Sequence, residues 1–209
     1  MRITHRCESL TYSDLANIPS TLALHIGPVF HEVPESLALR LAQRECVVSL
    51  EAQGYTRRLG RDGRVNPRKW NNRHLLRNVG VMKASENELR AITGDTASAR
   101  RLAKVGPAII LLTKGTMGTV VWSRNEGVYK VPAYQTHVVD PTGAGDALIG
   151  GFLVAWVRTG ELLWSCAVGS AIASFVVESP GPSNFGSSKE IEGRAQEILN
   201  GATRMRGRI

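Results

Sequence analysis

The chain has 209 residues, of which 43% are hydrophobic and 21% charged, a balance typical of a soluble globular protein with a full hydrophobic core. Its formal net charge is +8, and no apolar run approaches the ~20 residues that cross a bilayer. The first residues lead into no signal-peptide core, and the three cysteines are widely spaced. The sequence therefore predicts a cytoplasmic protein with no membrane partner and no disulfide framework.

Much of the positive charge lies between residues 57 and 77, and further arginines lie between residues 204 and 208. A solvated basic surface, steering of an anionic nucleotide or substrate, and nucleic-acid binding all fit such clusters. Nucleic acid is the least favoured partner, because no aromatic platform or recognition motif accompanies the arginines.

Short β-rich runs alternate with amphipathic helical stretches, which predicts an α/β fold with a mostly parallel sheet covered on both faces. Strands are predicted at residues 22–26, 46–50, 79–83 and 109–113, and a hairpin at 118–123 and 128–131. An extended segment is predicted at 136–139. Helices are predicted at 34–43, 86–93, 96–104, 146–158, 162–177 and 189–199.

A turn of small residues followed by an acid is the most informative stretch of the chain. Gly143, Ala144 and Gly145 let backbone N–H groups approach a phosphate, and a helix starting near Asp146 adds its positive end to the same point. The Asp146 carboxylate could take the proton from an attacking hydroxyl. The turn predicts a phosphoryl-transfer site, and the alternative is a plain strand-to-helix connection with Asp146 in the first helical turn.

Two further motifs follow predicted strands. Ser85 and Glu88 have the spacing of a helix capping box, which accounts for Glu88 without any catalysis. Thr113, Gly115 and Gly118 either contact phosphates or turn the chain into the next strand. Because ligands bind beyond the carboxyl ends of parallel strands, we predict that the three loops converge on one site.

In order and spacing, the three stretches resemble the motifs of the ribokinase-like carbohydrate kinases of the phosphofructokinase-B type. The matching residues are DPTGAGD at 140–146 with GGF at 150–152, KASENE at 83–88 with TG at 93–94, and TKGTMG at 113–118. The resemblance implies a ribokinase-like three-layer α/β/α fold. It also implies a kinase that moves the γ-phosphoryl of ATP to an alcohol group of a sugar, nucleoside or cyclitol.

The resemblance implies roles for individual residues. Asp146 is the general base and residues 143–145 the anion hole, while Glu88 holds Mg²⁺ through water, in keeping with the waters that this ion retains. Asp140 and Thr142 match positions that bind a monovalent cation, for which K⁺ is the candidate. Gln53 and Arg57 either face substrate or lie on the surface. The residues implied to bind nucleotide are Ser85, Thr113, Gly115, Gly118, Gly145 and Ser170.

Three residues depart from the family pattern: Ser85 replaces the more usual Asn, Lys114 replaces a usually apolar residue, and Pro141 replaces the commoner Thr or Ser. Residues 51–57 and 176–181 resemble archaeal-looking members. The resemblance covers the later two-thirds of a family member, with residues 1–20 as the remnant of an N-terminal and lid region, 21–200 as the kinase core and 201–209 as a basic tail.

We therefore expect the 209 residues to fold their sheet but to show little phosphotransfer. Acceptor contacts and a lid normally position the substrate and exclude water, and the resemblance implies that these parts belong to the N-terminal region missing here. An uncovered sheet edge would favour self-association into homo-oligomers or aggregates. The alternative to a kinase is a non-catalytic nucleotide-binding remnant, or the N-terminally truncated product of such a kinase gene.

Overall fold

The computed structural model describes residues 5, 7–94 and 98–205. The chain forms two compact units that divide between Ile110 and Leu111, inside strand β6 (Ile109–Thr113). Among the described residues, no helix is both long and apolar enough to cross a bilayer.

The first unit contains parallel strands and short helices. Strands β1, β2 and β5 pair in parallel and in that order, and β6 follows β5 in the strand order. The elements are a 3-10 turn (Tyr12–Asn17), β1 (Ala23–Ile26), α1 (Glu35–Ala42), β2 (Val47–Glu51), β3 (Arg57–Leu59), β4 (Val65–Pro67), α2 (Arg73–Arg77), β5 (Val81–Ser85), α3 (Glu86–Thr93) and α4 (Ala99–Ala103). Strands β3 and β4 form a separate antiparallel hairpin.

The core of the first unit includes both apolar and ionic pairs. The buried Tyr55 ring stacks on Trp70, with centroids 5.2 Å apart, and its hydroxyl donates to the carbonyl of Val33. Lys83, in the middle of β5, places its Nζ 2.6 Å from Oε1 of Glu51, the last residue of β2, and both side chains are more than nine-tenths buried. Two charges this far from water stabilise each other, and removing one of them is strongly destabilising.

The second unit begins in β6 and contains the long helices. After a 3-10 turn (Gly115–Met117) come β7 (Thr119–Ser123), β8 (Gly127–Val131), α5 (Ala144–Thr159), α6 (Leu162–Val176), α7 (Ser188–Asn200) and β9 (Thr203–Arg204). Strand β7 pairs with β8 and β8 with β9, both antiparallel.

Helices α5 and α6 pack closely because two glycines lie at their contact. A Cβ on Gly151 would lie 3.0 Å from the Cα of Gly169, and a Cβ on Gly169 would lie 2.3 Å from the carbonyl oxygen of Leu148. Any larger side chain at residue 169 would push the helices apart. The contact therefore fixes α6 against the first turns of α5.

The structure confirms the α/β class and most predicted elements, and it corrects several details. Helix α5 begins at Ala144, two residues earlier than predicted, and α4 is shorter than 96–104, whose residues 96 and 97 lie outside the described part of the chain. The hairpin β3–β4 and helix α2 were not predicted.

The predicted extended segment at 136–139 is not a strand. Its end bonds to a helix instead: the N–H groups of Val139 and Asp140 donate to the carbonyl of Val177, just beyond α6. Backbone N–H groups can donate to a free carbonyl at the end of a helix as well as to a neighbouring strand.

Candidate functional site

A cavity of about 310 Å³, the size of a small-molecule site, lies within the second unit. Four segments line it: the loop after β6, residues 133–138, the start of α5 and one face of α6. The lining residues discussed below are Thr113, Gly115, Gly118, Tyr134, Thr136, Ala144, Gly145, Ser170 and Ser174.

The glycine-rich turn presents the start of α5 to this cavity. Gly143 is the N-cap, with a left-handed φ of 81° that favours glycine, and no side chain caps the helix. The first N–H groups of a helix have no partner within it. The Ala144 N–H donates to the carbonyl of Pro141 at 3.3 Å, so the helix start offers the backbone at Gly145 and the positive end of a 16-residue helix.

Asp140 holds the turn from outside the cavity. One carboxylate oxygen accepts the N–H of Thr142 at 2.9 Å, and the other accepts the N–H of Gly181 at 2.9 Å. Hydrogen bonds from the side chain and backbone of Thr142, and from the backbone of Gly181, hold the pKa of Asp140 below its usual range. The Asp140 carboxylate thus ties the turn to the loop that follows α6.

The loop after β6 is shaped by two glycines with positive φ, 57° at Gly115 and 88° at Gly118. A Cβ on Gly118 would lie 2.2 Å from the carbonyl oxygen of Val131, so close backbone approach explains this glycine. The N–H of Gly118 donates to the carbonyl of Gly115 at 3.0 Å. Thr113 and Gly115 line the cavity together with Gly118, and they are better candidates than Gly118 for contact with a ligand.

The other predicted residues of this unit lie close to the turn. Ser170 is buried on α6 and lines the cavity, as do Ala144 and Gly145. Asp146 is exposed in the first turn of α5. The structure thus brings six predicted residues to one cavity, whereas Gly143 and Asp146 do not line it; the six are Thr113, Gly115, Gly118, Ala144, Gly145 and Ser170.

The remaining predicted residues belong to the first unit. Ser85 and Glu88 form a complete capping box: the Ser85 N–H donates to Glu88 Oε2 at 2.8 Å, and the Glu88 N–H donates to Ser85 Oγ at 3.4 Å. Gln53 is half-buried and accepts a hydrogen bond from Thr56 through its carbonyl. Arg57 donates to the carbonyl of Val29 at 3.2 Å.

Sequence reasoning missed the cavity wall formed by Tyr134, Thr136 and Ser174. These residues lie in a segment without strand or helix and on α6, and no motif or periodicity distinguishes them. Tyr134 and Ser174 contact Arg194, and Thr136 bonds to Glu178, which are contacts that only the folded chain reveals.

An α/β unit in which an uncapped helix start and a second glycine loop line one cavity has the features of a phosphate-binding protein. Comparison with known proteins supports this class and identifies the family. The chain belongs to the pfkB family of carbohydrate kinases, whose profile matches residues 45–189.

Individual relatives fall within this family. The chain is 39% identical over 80 residues to a nucleoside kinase of Methanothermobacter thermautotrophicus, a match that covers 38% of the chain and 25% of the relative. It is 25% identical over 183 residues to an inositol 3-kinase of Arabidopsis thaliana, covering 86% of the chain and 49% of the relative. The chain thus spans no more than about half of either curated relative.

A solved structure is similar over most of the chain. It is a pyrophosphate-dependent kinase of the ribokinase family, complexed with a pyrophosphate analogue and myo-inositol, with a TM-score of 0.78 and 25% identity. The match covers 92% of this chain and 69% of that one. The ribokinase-like fold expected from the sequence is therefore confirmed.

Proposed function

We propose that this protein is an ATP-dependent phosphotransferase that moves the γ-phosphoryl group to an alcohol group of a sugar, nucleoside or cyclitol. The observation that supports it most is that two separate glycine loops, at Gly115 and at Gly145, line one cavity beside an uncapped helix start. Backbone donors and a helix dipole aimed at one point stabilise the charge of a phosphoryl group in transfer.

In the proposed reaction, the acceptor hydroxyl oxygen attacks the γ-phosphorus and the bond to the β,γ-bridging oxygen breaks, releasing ADP. The hydroxyl proton passes to the carboxylate of Asp146, which is exposed in the first turn of α5 and so open to an acceptor. The start of α5 at residues 143–145 forms the anion hole, and Thr113, Gly115 and Ser170 contact the nucleotide. Gln53 and Arg57 remain candidates for the acceptor side.

Glu88 is the residue that we propose to hold Mg²⁺ through water. One of its oxygens caps α3, and a carboxylate has about four lone-pair sites, so the side chain can accept from metal-bound water as well. Bound there, the ion would supply charge neutralisation to the phosphates. Ser85 can still donate its hydroxyl to a phosphate, although it is also the helix cap.

We also propose a K⁺ site at Asp140 and Thr142. The Asp140 oxygens already accept two backbone N–H groups, so a cation would have to share these oxygens with them. A difference in ATP affinity between K⁺ and Na⁺ buffers of equal ionic strength would support the site, and equal affinity would count against it.

The donor is the first point to test, since the solved relative described above is pyrophosphate-dependent. Calorimetric titration of the 209-residue protein with ATP and with pyrophosphate, each with and without Mg²⁺, separates the two donors. We expect ATP to bind in a Mg²⁺-dependent way. Absence of binding at millimolar ATP would overturn the proposal, and binding of pyrophosphate alone would replace ATP as donor.

The acceptor is tested with a panel of sugars, nucleosides and inositols in a phosphotransfer assay. Transfer to one chemical class would name the substrate. Nucleotide binding without transfer to any member of the panel would favour the alternative, a protein that binds nucleotide without catalysis.

A further inference from the structure

An ion pair lies directly behind the cavity wall of the second unit. Arg194 of α7 donates through Nη1 to Glu178 Oε1 at 2.7 Å and to Ser174 Oγ at 2.8 Å. Only 18% of the Arg194 side chain and 23% of the Glu178 side chain are exposed. Neither residue lines the cavity itself.

Two aromatic rings hold the Arg194 guanidinium in place. Its Cζ lies 3.5 Å from the centroid of Phe175 and 4.5 Å from that of Tyr134, both within the range of a cation–π contact. The planar guanidinium can stack on a ring and donate in its plane at the same time. A lysine at this position could form the ion pair but could not stack in the same way.

The partners of the pair are residues of the cavity wall. Arg194 contacts Tyr134 and Ser174, and Glu178 accepts a hydrogen bond from the Thr136 hydroxyl, while these three partners all line the cavity. Ser174 Oγ also donates to the carbonyl of Ala171, so two hydrogen bonds fix the orientation of the Ser174 hydroxyl.

The wall and the two glycine loops of the cavity differ in chemistry. Tyr134, Thr136 and Ser174 contribute an aromatic side chain and two hydroxyl oxygens whose hydrogens bond away from a ligand, whereas the glycine loops contribute only backbone and small side chains. A nucleoside needs an aromatic or apolar surface with a few placed polar groups. An inorganic phosphate chain needs only the N–H donors and positive charge.

We propose that Arg194, together with Glu178, is a positioning residue that holds Tyr134, Thr136 and Ser174 in the orientation that binds the nucleoside part of the phosphoryl donor. This inference rests on the proposed function, since it requires a nucleotide in the cavity. It assigns donor specificity to a pair of residues that touch neither the donor nor the reacting atoms.

The test measures the binding of ATP, GTP and inorganic tripolyphosphate, all with Mg²⁺, to the 209-residue protein and its variants. Tripolyphosphate carries the phosphate chain of ATP without the nucleoside. We expect Arg194→Met to weaken ATP binding at least tenfold, to lower the ratio of ATP to GTP affinity and to leave tripolyphosphate binding within about twofold. Arg194→Lys should recover only part of the ATP affinity, because it restores the charge but not the stacking.

The matched control is Arg158→Met, which removes an exposed arginine from the last turn of α5 and should leave all three affinities unchanged. Circular dichroism checks the fold of each variant. If Arg194→Met does not fold, the same three affinities are measured on Glu178→Gln, which keeps the shape of the side chain and removes its charge.

Equal weakening of ATP and tripolyphosphate, or unchanged ATP affinity and base preference in a folded variant, would overturn the inference while leaving the proposed function intact. Failure of the wild-type protein to bind ATP at all would overturn both. A selective loss of ATP over tripolyphosphate would support both.

Discussion

Gly169 of α6 lies against the carbonyl oxygen of Leu148 in α5, so closely that a Cβ on residue 169 would be 2.3 Å from that oxygen. The second unit depends on this contact, because α5 carries the glycine turn and α6 carries Ser170 and Ser174 of the cavity wall. The separation of the two helices is therefore set by a residue that has no side chain.

Gly169→Ala should destabilise the protein by about 1–3 kcal/mol, the usual cost of forcing extra volume into a packed contact. The control is Gly193→Ala in α7, where an added Cβ would meet nothing within 4 Å and helix propensity favours alanine by up to about 1 kcal/mol. Urea denaturation measures both variants. Equal stability of the two would show that α5 and α6 can move apart without cost.

Lys83→Met should destabilise the protein by about 3–5 kcal/mol, because it leaves the Glu51 carboxylate buried without its ammonium partner. The double variant Glu51→Gln/Lys83→Met should lose less than the sum of the two single variants, since neither charge then remains. A double-mutant cycle in denaturant measures this difference. Additive losses would mean that the two groups do not stabilise each other.

Ser85 and Glu88 can be separated into structural and ligand-binding roles. Ser85→Ala removes the helix cap and should cost about 0.5–2 kcal/mol of stability. Glu88→Gln keeps an oxygen for the Ser85 N–H and should cost less, yet it should raise the Mg²⁺ concentration needed for ATP binding if the proposed metal role holds. The matched control is Glu86→Gln, in the same helical turn. An unchanged Mg²⁺ requirement in Glu88→Gln would leave this residue with the capping role alone.

The Asp140 carboxylate makes the stability of the turn depend on pH. Because hydrogen bonds to Thr142 and Gly181 lower the pKa of Asp140 in the folded protein, its ionised form stabilises the fold. This contribution is present above the ordinary value of 3.8 and is lost as the pH falls through the lower folded value.

Asp140→Asn, which offers one acceptor oxygen instead of two, should therefore lower the melting temperature at neutral pH, and its difference from wild type should shrink in acid below about pH 4. Thermal melts of both proteins across this range test the effect. Asp62→Asn on the exposed β3–β4 hairpin serves as the control. A difference that stays constant with pH would contradict the assignment.

Asp146→Asn should lower the turnover number by about 10² to 10⁴ and leave the dissociation constant of ATP nearly unchanged, as expected when a general base alone is removed. The assay uses the form of the protein that transfers phosphate, whether this chain or a longer one that contains it. Asp146→Asn with full activity would eliminate the proposed mechanism. A large loss of ATP affinity would instead indicate a ligand-binding role.

Local patterns in the sequence were enough to predict most of the elements and the loops of the cavity. The strand β6 ends before a glycine loop, and Gly143 precedes an apolar helix, because these structures depend on neighbours a few residues away. The capping box of Ser85 and Glu88 was also predicted, since its hydrogen bonds span only three residues. The hairpin β3–β4 was missed because its strands are three residues long, with two arginines in β3 and a proline in β4, and show little apolar alternation.

The sequence by itself thus determined the α/β class, the glycine loops and the family to which they point, because each depends on spacing along the chain. Only the tertiary structure decided that residues 136–139 bond to the end of α6 rather than to a strand, and that Arg194 lies beside Glu178, Ser174 and Tyr134. Such contacts join residues up to about sixty positions apart, and neither charge nor periodicity specifies which partner a side chain will meet. Packing of the helices against one another makes that choice.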